Sequence, residues 1–233
     1  MIDNTYILQI ETATPVCSVA IGKNGETIAK IEADAPNLHA SHLTPFIEEV
    51  LDAAAVTRDS LDAVAISMGP GSYTGLRIGV STAKGLCYGL DIPLIAVNTL
   101  EAMVQGFVSQ KIAADEARLY VPMIDARRME VYMAKYNVQL QCVEQTVARI
   151  IDKHAFTDDD GGKEYILFGS GADKFEGLFD ENDKVQVKTG FRNSASFFDK
   201  LAFQKFQDSF FEDVVYFEPY YLKDFIATTP KKR

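Results

Sequence analysis

The sequence is short of cysteine and of long apolar runs, and each shortage excludes a class of protein. Its three cysteines, Cys17, Cys87 and Cys142, are odd in number and far apart, which argues against a disulfide framework and fits a reducing compartment. No run of about 18 or more apolar residues occurs, so no membrane span is predicted. Residues 1–5 lack a basic region followed by an apolar stretch, so no secretory signal is predicted and the expected location is the cytoplasm.

Basic residues are also scarce, because 23 Lys and Arg stand against 33 Asp and Glu for a formal net charge of −10. A protein that binds nucleic acid on its own usually neutralises phosphates with a basic face, and here the basic residues are scattered. The densest cluster, Lys231, Lys232 and Arg233, is interpreted as a frayed, solubilising end. We therefore expect no strong RNA binding by this chain alone, although the composition still fits an acidic subunit of an RNA-modifying assembly.

The chain does have enough apolar residues, 47%, to form a core in one large domain or two small lobes. Residues 6–11, 17–21 and 27–31 are short apolar runs rich in strand formers. Asn24 and Gly25 separate the second run from the third, and this pair is a strong hairpin signal because both turn residues need a positive φ. Three antiparallel strands are therefore predicted at the start of the chain.

The next elements alternate between helix and strand. Apolar residues at helical spacing predict a helix over residues 43–54, with Thr44 as N-cap and Pro45 as its first residue. The remaining predicted elements are a strand at 61–68, a glycine loop at 69–75, a helix at 76–90 and a strand at 93–97. This β-β-β-α-β-α-β order, with two crossovers that imply parallel pairing, resembles half of an actin, hexokinase or Hsp70 ATPase molecule.

The second half of the chain repeats the order less regularly. The elements predicted there are strands at residues 119–125, 130–136, 142–146 and 165–168, a tight turn at 126–128 and a helix at 194–206. The expected fold is therefore α/β and actin-like (ASKHA, ribonuclease H-like), with two lobes that are each a mixed sheet flanked by helices. The predicted division is an N-terminal lobe at 1–105 with partner-binding helices, a reduced second lobe at 106–225 and a flexible basic tail at 226–233.

The glycine loop at residues 69–75 lies between a buried strand and a helix, where backbone N–H groups can hold an anion. A plain turn is the alternative explanation, because most such loops are only turns. The residues predicted for contact with an anion or a nucleotide are Gly69, Gly71, Ser72, Thr74 and Arg77.

Gly75, Gly79 and Ala83 recur at a spacing of four and give the second helix a bare stripe. Each interior glycine costs a helix about 1 kcal/mol relative to alanine, so close approach of another helix is the expected reason. That helix is either the one at residues 43–54 of this chain or one from another subunit, and the spacing leaves both open. Arg77 and Lys84 on the same helix argue against a lipid setting.

Metal and hydrolase sites have weak signals. His39 and His42 are three apart with no third ligand near in sequence, and the third histidine is His154, so no metal site is predicted. Residues 158–162 lack the ligand spacing of an EF-hand and are interpreted as a solvated loop. Ser72 does not lie in a G-x-S-x-G elbow, and no HExxH helix is present. Residues 169–172 are interpreted either as a vestigial adenosine site or as a plain strand-to-helix turn.

Several segments together resemble the bacterial TsaB (YeaZ) family. Residues 67–79 read SMGPGSYTGLRIG and, with AKGL at 83–86, are similar to that family's GPGSFTGLR segment. The other matching segments are IETAT at 10–14, ASHLTP at 40–45 with its Ser and His in changed order, IDARRMEVY at 124–132 and PYYLK at 219–223. The resemblance runs from residue 7 to residue 223, and the GPGS and DARR segments are quite specific.

The resemblance implies a non-catalytic scaffold that pairs with a homologous TsaD-type catalytic subunit and a TsaE-type ATPase. The complex transfers threonylcarbamoyl to N6 of adenosine 37 in tRNAs that read ANN codons, and this chain would meet tRNA only through the complex. The family pairs through its two N-terminal helices, and many members also self-associate. The residues expected at the partner interface are Leu43, Phe46, Ile47, Val50, Gly75, Gly79 and Ala83.

The turns of the two predicted hairpins, at residues 11–15 and 125–128, lack the glycines that a phosphate-binding turn needs. ATP-using relatives wrap phosphates with glycines at these turns, whereas the first turn here contains Pro15 and neither turn contains glycine, so no catalytic residue and no cofactor are predicted. Arg77, Arg127 and Arg128 are interpreted as exposed functional contacts or as ordinary salt-bridge partners. The alternatives are a small ATP-dependent enzyme of the same superfamily, a peptidase-like hydrolase and a dimeric adaptor unrelated to tRNA.

Overall fold

The computed structural model describes residues 4–34, 38–109, 117–157 and 162–223 and contains two five-stranded sheets. The strands are β1 (Tyr6–Glu11), β2 (Val16–Lys23), β3 (Glu26–Asp34), β4 (Ala63–Gly69), β5 (Leu94–Asn98), β6 (Arg118–Asp125), β7 (Glu130–Tyr136), β8 (Cys142–Ile150), β9 (Glu164–Phe168) and β10 (Val185–Lys188). The helices are α1 (Leu38–Ala54), α2 (Tyr73–Leu90), α3 (Thr99–Ser109) and α4 (Asp199–Gln207).

The two sheets share one topology. The first has the order β3-β2-β1-β4-β5 and the second, from its β8 edge, the order β8-β7-β6-β9-β10. In both sheets the first two pairings are antiparallel and the last two are parallel. The second copy is reduced, because only a short 3-10 turn at Ala172–Phe175 is assigned between β9 and β10 where the first copy has α2. The predicted actin-like fold of two lobes is confirmed.

Apolar residues cover both faces of the first sheet. One face packs against α1 and α2 through a core that includes Leu8, Val19 and Ile47. The other face packs against α4 and its preceding turn, where Phe198 and Ala202 are fully buried. Although the sequence assigns α4 to the second lobe, its contacts are therefore with the first sheet. The predicted lobe boundaries remain a prediction, and the predicted tail at 226–233 lies outside the described residues.

The helix α3 was not predicted, and it joins the two sheets. Its start is capped because the Asn98 side chain accepts hydrogen bonds from the backbone N–H groups of Leu100 and Glu101 at 2.9 and 3.2 Å. The Phe107 ring stacks on Phe168 of β9 with 3.9 Å between ring centroids. Both rings belong to the core on one face of the second sheet, so α3 positions that sheet beside the first.

The predicted start of the first helix is wrong, because α1 begins at Leu38 and Pro45 lies inside it. A proline inside a helix costs about 3 kcal/mol, so tertiary contacts have to outweigh it. Leu38 is buried in the first-lobe core, and His39 Nε2 is 2.8 Å from the carbonyl oxygen of Thr14. Because Pro45 has no N–H, the carbonyl oxygen of Ser41, four residues earlier, lacks its usual hydrogen-bond donor. Both residues are exposed, so water can solvate that carbonyl oxygen.

Other predicted bounds shift by a few residues. α2 begins at Tyr73 rather than at residue 76, because the Ser72 side chain caps it by accepting from the N–H of Gly75. The predicted helix at 194–206 begins as a 3-10 turn over Ala195–Phe198 and continues as α4. In the described part of the chain, no helix is both long enough and apolar enough to cross a membrane.

The segment after α4 runs back along the first lobe. Glu212 N donates to the carbonyl oxygen of Leu94 at 2.8 Å, and Lys84 Nζ donates to the carbonyl oxygens of Val215 and Phe217. Farther on, Tyr220 N donates to the carbonyl oxygen of Met68 at 2.7 Å. These bonds bring residues 212–220 past β5 and α2 to the glycine loop.

Candidate functional site

A cleft of about 870 Å³ lies between the two lobes. Its walls come from the turn between β1 and β2 (residues 12–15), the loop that starts α2 (residues 70–72) and the turn between β6 and β7 (residues 126–129). The residues that line the cleft include Thr14, His39, Ser72, Tyr73, Thr74, Arg127, Arg128, Tyr132, Ser170 and Lys223.

The first-lobe wall of the cleft is closed by its own backbone. Ser72 N donates to the carbonyl oxygen of Ala13 at 2.7 Å. A Cβ added at Gly71 would lie 2.4 Å from that same oxygen, and one at Gly75 would lie 2.2 Å from the carbonyl oxygen of Thr12. These glycines therefore let the α2 loop pack against the β1–β2 turn, and the packing fills the space between them.

The structure brings together only part of the predicted anion site. Gly71, Ser72 and Thr74 line the cleft, and Arg77 is absent from its lining. Gly69 is buried and has a φ of +113°, and a Cβ added there would lie 2.9 Å from the carbonyl oxygen of Tyr220. The C-terminal segment thus covers the beginning of the predicted site. That the remaining residues bind an anion stays a prediction.

The second-lobe wall has an unusual turn. Arg127 and Arg128 both have left-handed backbone conformations, with φ values of 76° and 51°. Such conformations are strained for residues with a Cβ. Lys174 fixes the turn, because its Nζ donates to Asp125 Oδ1, to the carbonyl oxygen of Arg128 and to that of Glu130, all within 2.8 Å. Lys174 was not among the predicted site residues.

A buried acid lies behind the first turn. Glu11 is 1% exposed, and its side chain accepts from Ala13 N at 2.5 Å. Burial raises the pKa of Glu11 from its ordinary 4.5 to about 7, and the bonds to Ala13, Asn193 and Ser67 oppose that rise. Burial, with the nearby Glu11 charge, also raises the pKa of Cys17 to about 11. This acid supports the turn from beneath and lies outside the cleft lining.

The histidines do not converge on one site. His39 Nε2 is bonded to Thr14, whereas the exposed His42 has its Nδ1 2.8 Å from Ser41 Oγ. Within the described ranges, no group of three or more His, Cys, Asp or Glu side chains could hold a metal ion. Of the predicted loop at 158–162, residues 158–161 lie outside the described part of the chain.

The glycines at 169–172 have a packing explanation. A Cβ at Gly169 would lie 2.4 Å from the carbonyl oxygen of Met123, and one at Gly171 would lie 2.9 Å from the carbonyl carbon of Ile124. Gly171 N also donates to the carbonyl oxygen of Met123 at 3.0 Å. Close packing against β6 therefore accounts for both glycines. Ser170, between them, faces the cleft.

The side chains expected at the partner interface are buried inside this chain. The seven residues are Leu43, Phe46, Ile47, Val50, Gly75, Gly79 and Ala83, and each is buried. A Cβ at Gly79 would lie 2.2 Å from Thr12 Oγ1 and 3.0 Å from the Ile66 side chain. The spacing predicted the close approach of another helix, whereas the nearest atoms belong to the chain's own β1–β2 turn and β4, and from α1 the His39 ring lies 3.0 Å from a Cβ at Gly75. Docking of α1 and α2 on a partner stays a prediction.

The chain is similar to known proteins over most of its length. A family model described as "TsaD: tRNA N6-adenosine threonylcarbamoyltransferase" matches residues 32–230. The tRNA threonylcarbamoyladenosine biosynthesis protein TsaB of Escherichia coli K12 is 38% identical over 131 residues, which are 56% of this chain and 54% of that protein. TsaB of Bacillus subtilis is 32% identical over 141 residues, 60% of this chain and 59% of that protein. The chain thus spans about half the length of the curated relatives it matches.

The similarity extends to a solved structure. The Pseudomonas aeruginosa protein described as similar to peptidase YEAZ superposes with a TM-score of 0.80 at 25% identity, covering 94% of this chain and 100% of that one. The fold and the sequence therefore agree on the same set of relatives.

Proposed function

We propose, because the chain belongs to the TsaB (YeaZ) family, that it is a non-catalytic scaffold in the biosynthesis of threonylcarbamoyladenosine on tRNA. It pairs with a TsaD-type catalytic subunit and a TsaE-type ATPase in the cytoplasm. The complex transfers threonylcarbamoyl to N6 of adenosine 37 in tRNAs that read ANN codons. The names of the relatives support a role in this pathway, and the geometry of the cleft supports a non-catalytic role for this chain.

The observation that carries the non-catalytic role is the closed first-lobe wall. Nucleotide-using members of the superfamily bind phosphates at the first hairpin turn, where backbone N–H groups face the ligand. Here the carbonyl oxygen of Ala13 accepts from Ser72 N, and Gly71 packs against the same turn. Pro15 has no N–H to offer. A triphosphate in this place would have to break the contact between the two loops.

The partner surface that fits this role is the exposed edge of α2, defined by Ser81, Gly85, Tyr88 and Gly89. A Cβ added at Gly85 or at Gly89 would meet nothing within 4 Å, so their bare backbone has no explanation inside this chain. The Tyr88 side chain next to them is 85% exposed. Bare glycines let a partner helix come close, and a large exposed aromatic residue suits the centre of an interface.

Gly85→Leu tests this surface without disturbing the fold. A leucine there meets open space and stabilises the isolated helix by about 0.5–1 kcal/mol relative to glycine, so the chain alone should unfold at the same or a higher urea concentration. Co-elution with the catalytic subunit should be lost. Gln207→Leu, on the exposed end of α4, is the matched control and should co-elute like the wild type. Unchanged co-elution of Gly85→Leu would refute this partner surface.

The pathway is tested separately in cells. Depletion of the chain should lower threonylcarbamoyladenosine in bulk tRNA, and a normal level would favour an adaptor unrelated to tRNA. ATP turnover by the isolated chain that is lost on changing Glu11 or Asp125 would instead show an ATP-dependent enzyme.

A further inference from the structure

Arg127 and Arg128 are adjacent and exposed, and among the described residues their guanidinium groups form no ion pair with a carboxylate. Four other arginines form ion pairs: Arg58, Arg118, Arg149 and Arg192. The guanidinium groups of these two neighbouring residues are therefore available for an anion from outside the chain.

The turn holds these two arginines in a fixed place. Lys174 donates three hydrogen bonds to it, and Asp125 Oδ1 accepts from Arg127 N at 2.7 Å. A strained, doubly left-handed turn persists only where its surroundings fix it, and such turns concentrate at binding sites. A guanidinium on a fixed backbone loses less freedom on binding, so more of its hydrogen-bond energy is available to the ligand.

The surroundings of the turn suit a nucleotide chain better than a flat protein surface. The cleft is concave, and Tyr73 and Tyr132 are among the residues that line it. The Tyr73 ring also packs against Tyr221, with 5.1 Å between ring centroids, and Arg77 lies over it. Thr14 is 4% exposed and lines the same cleft, and its Oγ1 has no hydrogen-bond partner among the described residues. Bases stack on aromatic rings, and sugar hydroxyls and phosphates take hydrogen bonds from hydroxyl and guanidinium groups.

We propose that the turn at residues 126–129 binds the phosphate backbone of an unpaired RNA segment at the mouth of the inter-lobe cleft. This inference rests on the proposed function and names the RNA contact that the scaffold contributes. The net charge of −10 keeps the contact weak for the chain alone, and the assembled complex strengthens it.

The test is the binding of labelled, unmodified tRNA by the full chain and by its complex with the catalytic subunit, between about 50 and 200 mM salt. Arg127→Gln with Arg128→Gln should weaken binding about tenfold at the lowest salt and reduce the salt slope by about 1.5. The matched control is Arg58→Gln with Arg149→Gln, which removes the same charge from two arginines that already have carboxylate partners. It should weaken binding about twofold at most.

Lys174→Met tests the positioning of the turn. Both arginines remain, but the three hydrogen bonds and the positive charge of Lys174 are lost, so binding should weaken by about threefold to fivefold. A circular dichroism spectrum like that of the wild type shows that the variant is folded. Wild-type affinity would mean that Lys174 has no positioning role.

The other outcomes decide between ligands. Equal affinities of the two double variants, for the chain and for the complex, would overturn the proposal. So would displacement of tRNA from the chain by ATP or tripolyphosphate at micromolar concentration, because the ligand would then be a free polyphosphate. If Arg127→Gln with Arg128→Gln no longer co-elutes with the catalytic subunit but still binds tRNA like the wild type, the turn is a contact with that protein and the proposal is wrong. Gly85→Leu separates this inference from the proposed function, because it should remove the partner and leave tRNA binding by the chain alone unchanged.

Discussion

Replacing Glu11 by glutamine should change the pH dependence of stability in a way that the burial of this carboxyl group dictates. Glu11 is 1% exposed and has a pKa of about 7 in the folded chain against 4.5 ordinarily. Between these values the folded state binds more protons than the unfolded state, so stability falls as pH rises from 4.5 to 7. Above pH 7 both states are ionised at Glu11, and the loss is complete.

The magnitude follows from the two pKa values. Their difference corresponds to about 3 kcal/mol of unfolding free energy that is present below pH 4.5 and absent above pH 7. Glutamine keeps the size of the side chain and the oxygen that accepts from Ala13 N, but it does not titrate. The free energy of unfolding of Glu11→Gln relative to the wild type should therefore increase by about 3 kcal/mol between pH 4.5 and pH 8.

The assay is urea unfolding of both proteins at several pH values, followed by circular dichroism. The difference between the two proteins at one pH removes the contribution of all other titrating groups, because those groups are the same in both. A difference that stays constant from pH 4.5 to pH 8 would refute the argument, because it would mean that Glu11 has the same pKa in the folded and unfolded states.

Two further predictions concern packing. Gly79→Leu should lower the free energy of unfolding by about 3 kcal/mol, because the leucine Cβ alone would lie 2.2 Å from Thr12 Oγ1. Urea unfolding at neutral pH measures this change, and wild-type stability would contradict the packing of α2 on the β1–β2 turn. The pKa values of all three cysteines are raised, but Cys142 is exposed whereas Cys17 and Cys87 are buried, so a thiol reagent at pH 8 should label Cys142 first and the other two only after unfolding. Rapid labelling of all three would contradict the burial.

The sequence predicted the first lobe well because its signals are local. Asn24 and Gly25 have φ values of 52° and 81°, as their hairpin turn requires. The start of α1 was wrong because the contacts that extend it, such as the bond between His39 and Thr14, join residues 25 apart. α3 was missed although Asn98 and the apolar spacing after it predict a capped helix.

The candidate site shows where local patterns stop being sufficient. A stripe of glycines at a spacing of four indicates close packing on that face of the helix, but it does not identify the segment that packs there. At Gly75 and Gly79 the neighbour is the chain's own turn, whereas Gly85 and Gly89 face open space. Lys174 has no local signature at all, because its acceptors lie more than 40 residues away in the sequence. Only the folded chain distinguishes these cases.

The two lobes have changed the same turn in different ways. In the first lobe the turn is sealed, because its carbonyl oxygen at Ala13 is bonded to Ser72 N. In the second lobe the carbonyl oxygens of Arg128 and Glu130 are bonded to Lys174, and Arg127 and Arg128 are among the residues that line the cleft. In the proposed RNA contact, guanidinium groups take the place of the backbone amides. Backbone amides suit a compact triphosphate, whereas long charged side chains on a fixed turn suit a longer anionic chain, and binding of that kind weakens steeply with salt.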